Sequence, residues 1–199
     1  MRKVLAVLLL ALAALPAMAS ELRRLDGSRP PALRLPDASG QMHELAQYRG
    51  KVVVINFWAT WCAPCREEMP SLDRLQKRLG KRPFVLLAVD VGEDEARVNR
   101  FLDSLGLRFN VLYDRDGAAA RAWGSRALPA TFVIDADGRM RYRLIGATEW
   151  DRGDAYDAIV SLLPRSGQES ASTEFLAGLR PDAGLTTDPT WTTHARQPR

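Results

Sequence analysis

Residues 52–65 read VVVINFWATWCAPC, and this stretch decides the fold of the chain. Residues 52–58 are apolar except for Asn56 and are rich in β-branched and aromatic side chains, which predicts a strand buried on both faces in the middle of a sheet. Pro64 is favoured in the first turn of a helix, because the amide hydrogen that proline lacks would have no partner there. The stretch therefore predicts a central strand that runs into a helix beginning at the two cysteines.

Cys62 and Cys65 are the only cysteines of the chain. Two cysteines placed at random would fall three apart in roughly one chain in a hundred, so this spacing is informative. At a helix N-terminus, unpaired amides and the helix macrodipole favour a thiolate over a thiol. A strand followed by Cys-x-x-Cys and a helix predicts a site for thiol–disulfide exchange.

The 199 residues, 46% of them hydrophobic, are enough to bury one core, which predicts a single domain with appendages. The formal net charge is +4, and without Arg2 and Lys3 the chain keeps 26 basic against 24 acidic residues. Mixed charge of this kind gives no reason to expect nucleic acid or a membrane surface as a partner.

The N-terminus has the pattern of a secretory signal. Arg2 and Lys3 precede an apolar run at residues 4–15, and Ala17-Met18-Ala19 follows as a small-residue cleavage site. We expect a signal peptide at residues 1–19, export to the periplasm and no membrane span after cleavage. An uncleaved membrane anchor stays open as an alternative, although a span needs about twenty apolar residues.

The remaining chain divides into a domain at residues 20–163 and a tail at 164–199, which is rich in Ser, Thr, Gly and Pro and is predicted to be disordered. Residues 32–35 and 41–44 predict a short hairpin. Periodicity predicts further strands at residues 84–89, 109–113, 130–135 and 140–145, and helices at residues 63–79, 93–105, 118–123 and 149–163. This βαβαβαββα order predicts an α/β layer sandwich with a mixed central sheet.

Two segments together resemble the thioredoxin fold: FWATWCAPC at residues 57–65, with Pro70 in the following helix, and LPATF at residues 128–132. The signal peptide and the extra segment at residues 92–113 are more similar to the exported TlpA/ResA/CcmG-like thiol–disulfide oxidoreductases. The resemblance covers residues 31–163. It implies a three-layer α/β/α sandwich with a mixed central sheet, an N-terminal hairpin and an inserted helix–strand segment.

The resemblance also implies roles for individual residues. Cys62 corresponds to the exposed nucleophile, and Cys65 to the resolving thiol that releases the mixed disulfide. Pro129 occupies the position of a cis-proline that faces the two sulfurs in the family. Leu128 and Pro129 would flank a groove for an extended peptide, and Trp61 would cover the site and form its apolar rim.

Glu68 has two interpretations. It lies three residues after Cys65 on the same helical face and matches a buried glutamate of the TlpA/ResA-like branch, which implies proton exchange with the resolving cysteine. Alternatively it is a solvated glutamate, like Glu67, that complements the helix dipole. Asn56 stands where cytosolic thioredoxins have a buried acid, which removes their usual proton relay.

Other interpretations of the cysteines carry less support. A disulfide that closes four residues would stabilise the fold by only about 2 kcal/mol, and a zinc site would have only His43 and His194 as further candidate ligands. Two thiolates can bind Cu(I), but the related copper-binding proteins use a wider cysteine spacing. A non-catalytic binding module that uses the groove beside Pro129 also stays open. We expect no heme, flavin, nicotinamide or resident metal.

The direction of electron flow depends on the reduction potential relative to the partners. The resemblance implies a dedicated reductant, re-reduced by a membrane thiol donor, that acts on apocytochrome c or on copper-site assembly proteins. The alternative is an oxidant of newly exported proteins.

Overall fold

The computed structural model describes residues 21–164. The predicted signal peptide at residues 1–19, and the predicted disordered tail apart from Pro164, lie outside the described residues. Within residues 21–164 the structure contains eight strands and four α-helices. The strands are β1 (Arg23–Arg24), β2 (Arg34–Pro36), β3 (Met42–Glu44), β4 (Val52–Trp58), β5 (Phe84–Val91), β6 (Asn110–Asp114), β7 (Ala130–Ile134) and β8 (Met140–Ile145); the helices are α1 (Ala63–Leu79), α2 (Glu95–Leu105), α3 (Ala118–Ala122) and α4 (Gly153–Ser161).

The central sheet of the described residues has six strands in the order β1-β8-β7-β4-β5-β6, and β2 and β3 form a separate two-stranded hairpin. β4 pairs with β5 in parallel and with β7 in antiparallel orientation. All seven residues of β4 are buried, because this strand has a neighbour on each side and apolar layers on both faces. The predicted mixed sheet with a buried central strand is confirmed.

Alternate residues of β4 supply the two faces of the core. Val53, Ile55 and Phe57 pack with the hairpin and with α3. Val52 and Val54 pack on the other face, against the α1 residues Leu72, Leu75 and Leu79 and against α4. Each fully buried aliphatic side chain of this kind contributes about 1.5–3 kcal/mol. The three-layer α/β/α sandwich implied by the resemblance is confirmed.

Several element boundaries agree with the sequence patterns, and others differ. β4 and α1 have the predicted limits. α2 begins at Glu95 rather than at residue 93, because the Asp94 side chain accepts the Arg97 N–H and caps the helix. It ends where Gly106 takes the left-handed conformation, at φ 64°.

Two differences have tertiary causes. The closing helix, predicted over residues 149–163, spans only Gly153–Ser161, because side chains of α1 hold the segment before it: Ser71 Oγ accepts the Trp150 N–H and Arg74 pairs with Asp151. Strand β1 was not predicted at all. Its two residues are both arginines without apolar alternation, and they form a strand only because β8 provides an edge for pairing.

Candidate active site

The two cysteines form a disulfide at the N-terminus of α1. Cys62 is the N-cap residue of this helix, Pro64 lies in its first turn, and the Cys62 sulfur accepts the Cys65 N–H at 3.3 Å. The redox pair therefore lies where helix amides and the macrodipole stabilise negative charge on sulfur. This is the local arrangement predicted from the sequence.

The exposure of the cysteines differs from the expectation. Cys62 was expected to be the exposed nucleophile, but it is only 5% exposed, and Cys65 is fully buried. Cys62 packs in an apolar cluster with Trp58 and Met69, and Leu128 packs against the same cluster. In the disulfide form, solvent thus reaches only a small part of Cys62 and none of Cys65, although attack on a disulfide requires contact with only one sulfur.

Trp61 directly precedes Cys62 in the chain and is 63% exposed. Leu128 is half-buried and Pro129 is buried, and the peptide bond between them is cis, as the resemblance implied. Pro129 O accepts a hydrogen bond from Gly146 N, which ties this loop to the end of β8. Trp61 and Leu128 therefore have surface that a peptide can contact, and their role in substrate binding stays a prediction.

Glu68 is buried one turn after Cys65, at 2% exposure. Its Oε1 accepts the Asn56 Nδ2–H at 2.8 Å, and its Oε2 accepts the Trp150 Nε1–H at 2.9 Å and, more weakly, the Thr148 N–H at 3.4 Å. Among the described residues, none of its hydrogen bonds goes to a cysteine. Glu67 remains exposed. The interpretation of Glu68 as a solvated glutamate is therefore wrong.

Burial raises the pKa of Glu68 to about 7, because the carboxylate loses most of its hydration. The donors Trp150, Asn56 and Thr148 act in the opposite direction, since they stabilise the anion. Desolvation is the larger effect. The carboxyl group can therefore take up or release a proton near neutral pH, as an acid–base group at a redox site requires.

Asn56 links this carboxyl group to the sheet. It is fully buried on β4, and its Nδ2 donates both to Glu68 and to Thr131 Oγ1 on β7, at 2.8 and 2.9 Å. Its Oδ1 has no partner among the described residues. Asn56 occupies the position that carries a buried acid in cytosolic thioredoxins. In this protein its side chain instead holds the carboxyl group of Glu68 on α1.

A pair of buried carboxyl groups lies next to the turn before Cys62, and the sequence patterns did not single it out. Asp90, at the end of β5, is fully buried, and Glu93 follows in the loop before α2. Burial and then Glu93 raise the pKa of Asp90 to about 8. The sequence signal was an acid at the end of an otherwise apolar strand, which is where side chains of a parallel sheet approach a functional site.

The described residues 21–164 contain no group of three or more His, Cys, Asp or Glu side chains placed to hold a metal ion. No helix in the same range is long and apolar enough to cross a membrane.

Comparison with known proteins gives consistent results. The AhpC/TSA family profile matches residues 27–143. The thiol-disulfide oxidoreductase ResA of Geobacillus thermodenitrificans is 41% identical over 120 residues, which are 60% of this chain and 69% of that protein. The ResA of Bacillus anthracis is 32% identical over 130 residues, or 65% of this chain and 75% of that protein.

Solved structures agree with the sequence relatives. The crystal structure of a thiol:disulfide interchange protein of the thioredoxin family from Chlorobium tepidum matches with a TM-score of 0.59 and 26% identity. The match covers 69% of this chain and 96% of that one.

Proposed function

Because the chain belongs to the AhpC/TSA family and is similar over most of its domain to proteins named thiol-disulfide oxidoreductases, we propose that it is a periplasmic reductant of protein disulfides. The thiol–disulfide oxidoreductase activity rests on the Cys62–Cys65 pair. The observation that supports the proposed mechanism is this disulfide at the start of α1, followed one turn later by a buried glutamic acid.

The proposed reaction starts from the dithiol. The Cys62 thiolate attacks one sulfur of a substrate disulfide, so that a mixed disulfide forms and the first substrate thiolate leaves and takes up a proton. Cys65 then loses its proton and attacks the Cys62 sulfur. The Cys62–Cys65 disulfide forms, the second substrate thiol is released, and two electrons have passed to the substrate.

Glu68 is proposed to accept the proton of Cys65 and to return it in the reverse reaction. A thiol in an apolar cluster needs a nearby base before it can attack. A carboxyl group with a pKa of about 7 is populated in both forms at neutral pH, so it can accept this proton in one direction and return it in the other. Trp61, Leu128 and Pro129 are proposed to contact the substrate backbone and side chains.

The direction and the substrate are proposed from the family resemblance. A reductant in an oxidising compartment needs a source of electrons, for which we propose a membrane thiol donor. The proposed substrates are the heme-attachment cysteines of apocytochrome c or the cysteines of copper-site assembly proteins. Residues 1–19 contain two charged residues, an apolar run and a small-residue cleavage site, and this pattern supports export and cleavage before Ser20. Sequencing the N-terminus of the protein recovered from the periplasmic fraction tests this, and Ser20 should be the first residue.

Trapping tests the reaction. In the Cys65→Ala variant the mixed disulfide cannot be resolved, so an oxidised peptide containing Cys-x-x-Cys-His should remain attached to Cys62 and be seen by intact mass. The Cys62→Ser variant is the matched control and should capture nothing. Absence of the adduct in Cys65→Ala, or cellular function retained in Cys62→Ser, would instead favour a binding module.

A redox titration tests the direction. Equilibration with glutathione should give a potential on the order of −270 mV, the value of thioredoxin. A value near about −120 mV, as in strong periplasmic oxidants, would contradict the proposed direction and leave the exchange chemistry intact.

A further inference from the structure

The turn before Cys62 is held by one carboxylate. Thr60 donates its backbone N–H to Glu93 Oε2 at 2.5 Å and its hydroxyl to Glu93 Oε1 at 2.6 Å. The Thr60 hydroxyl also accepts the Arg97 Nε–H at 2.9 Å. The next contact along the turn is the Cys62 N–H, which donates to Ala59 O at 3.2 Å. We call the Thr60–Glu93–Arg97 contacts the Thr60 clamp.

Asp90 contacts Glu93, the acidic residue of this clamp. Its Oδ1 accepts the backbone N–H of Glu93 at 3.2 Å, and the Glu93 side chain is near enough to raise the pKa of Asp90. Its Oδ2 is buried and has no hydrogen-bond partner among the described residues. Two neighbouring carboxyl groups in a buried site cannot both ionise without strong repulsion. Glu93 has a cation partner in Arg97, at 2.8 Å, so Asp90 is the one that keeps the proton.

We propose that Asp90 is a positioning residue for the exchange reaction, because its neutral carboxyl group keeps the Thr60 clamp closed and thereby fixes the turn that presents Trp61 and Cys62. Loss of the Asp90 proton places a second negative charge against Glu93. The repulsion moves Glu93 away from Asp90 and weakens both of its bonds to Thr60.

Most of the groups that face Asp90 favour its neutral form. On the neighbouring strands its register partners are Trp58 and Tyr113, which are uncharged at neutral pH. Burial is the largest cause that disfavours its ionised form; the side chains of Glu93 and then Asp94 add to it, and the Glu93 backbone N–H acts in the opposite direction. Arg97 is paired with Glu93 and is half exposed, so water screens much of its charge. The net result is a pKa of Asp90 raised to about 8.

This inference rests on the proposed function, because it concerns the presentation of the reactive sulfur. It predicts that the turn loosens above about pH 8 and that Cys62 is then less well presented for reaction. The Asp90→Asn variant keeps a neutral, isosteric side chain at every pH and should not show this loosening.

The experiment compares the wild type, Asp90→Asn and the control Asp135→Asn, which removes a buried acid at the far end of the sheet. NMR of the oxidised full chain follows the Thr60 amide from pH 6 to 9.5. In the wild type and in Asp135→Asn, its chemical shift should titrate with the same midpoint as the Asp90 side-chain carboxyl carbon. In Asp90→Asn it should stay constant. A Thr60 amide that titrates equally in Asp90→Asn, or that does not follow the Asp90 carbon in the wild type, overturns the proposal.

The second readout is the alkylation of Cys62 by iodoacetamide in the reduced proteins. The ratio of wild-type to Asp90→Asn rates should be close to one below pH 7 and fall at least threefold by pH 9.5; a constant ratio overturns the positioning role. Iodoacetamide needs no protein substrate, so failure of the peptide-trapping experiment would reject the proposed function without changing these results. The Asp90 carbon titration needs no variant, which keeps the test valid if Asp90→Asn folds poorly.

Discussion

Replacement of Glu68 by glutamine should remove a large part of the pH dependence of folding stability. The folded state raises the pKa of Glu68 from 4.5 to about 7, so between these values the native protein holds a proton that the unfolded chain releases. The stabilisation associated with this proton is complete below pH 4.5 and is lost as the pH rises through 7. From these two values the wild type should lose about 2.5 kcal/mol of unfolding free energy between pH 5 and pH 8 through Glu68 alone.

The glutamine variant should fold, because the surrounding groups can accept an amide. Trp150 Nε1 can still donate to the amide oxygen. The Asn56 side-chain amide can turn over, so that its Oδ1, which has no partner among the described residues, accepts a hydrogen bond from the new amide nitrogen. The same oxygen can then also accept the hydroxyl hydrogen of Thr131. The variant should therefore retain the hydrogen bonds of the site without the titrating group.

Urea unfolding of the oxidised protein at pH 5, 6, 7 and 8 measures the effect. The stability difference between Glu68→Gln and the wild type should change by about 2.5 kcal/mol in favour of the variant across this range. Asp90 also destabilises the fold with increasing pH, but it does so in both proteins and cancels in the difference. Glu67→Gln, at the exposed neighbouring position, is the control and should follow the wild type. Parallel curves for Glu68→Gln and the wild type would refute a buried, neutral Glu68.

Three further substitutions test other contacts. Trp150→Phe removes a donor that stabilises the carboxylate, so the pKa of Glu68 should rise above 7 in a carbon NMR titration; an unchanged midpoint would contradict this role. Trp61→Ala changes an exposed side chain and should alter unfolding free energy by less than about 0.5 kcal/mol while it slows peptide reduction; a large loss of stability would show a structural role instead. Asp94→Ala removes the cap of α2 and should cost about 1 kcal/mol in urea unfolding, whereas an unchanged midpoint would mean that water replaces the cap.

The sequence was sufficient where structure depends on neighbours along the chain. The limits of β4 and α1 follow from apolar periodicity and from Pro64 and Gly80, and the position of Cys62 at a helix N-terminus follows from both elements together. The LPATF segment and the Cys-x-x-Cys pair also indicated the family, which the AhpC/TSA match confirms.

Local patterns were insufficient where the environment comes from distant segments. Strand β1 exists because β8 offers an edge, and α4 begins late because α1 holds the preceding turn. The near-complete burial of Cys62 follows from the cluster around Trp58, and the clamp on Thr60 comes from a loop 33 residues further along. None of these contacts has a periodic signature.

By itself, the sequence of this protein determined which atoms react: two sulfurs three residues apart at the start of a helix. Only the tertiary structure decided how the acids beside them ionise. Glu68 could be solvated or buried as far as its own helix is concerned, and a tryptophan 82 residues away helps to enclose it. The physical reason is that desolvation depends on every segment that excludes water from a group, whereas helix and strand formation depend mainly on the residues next to it.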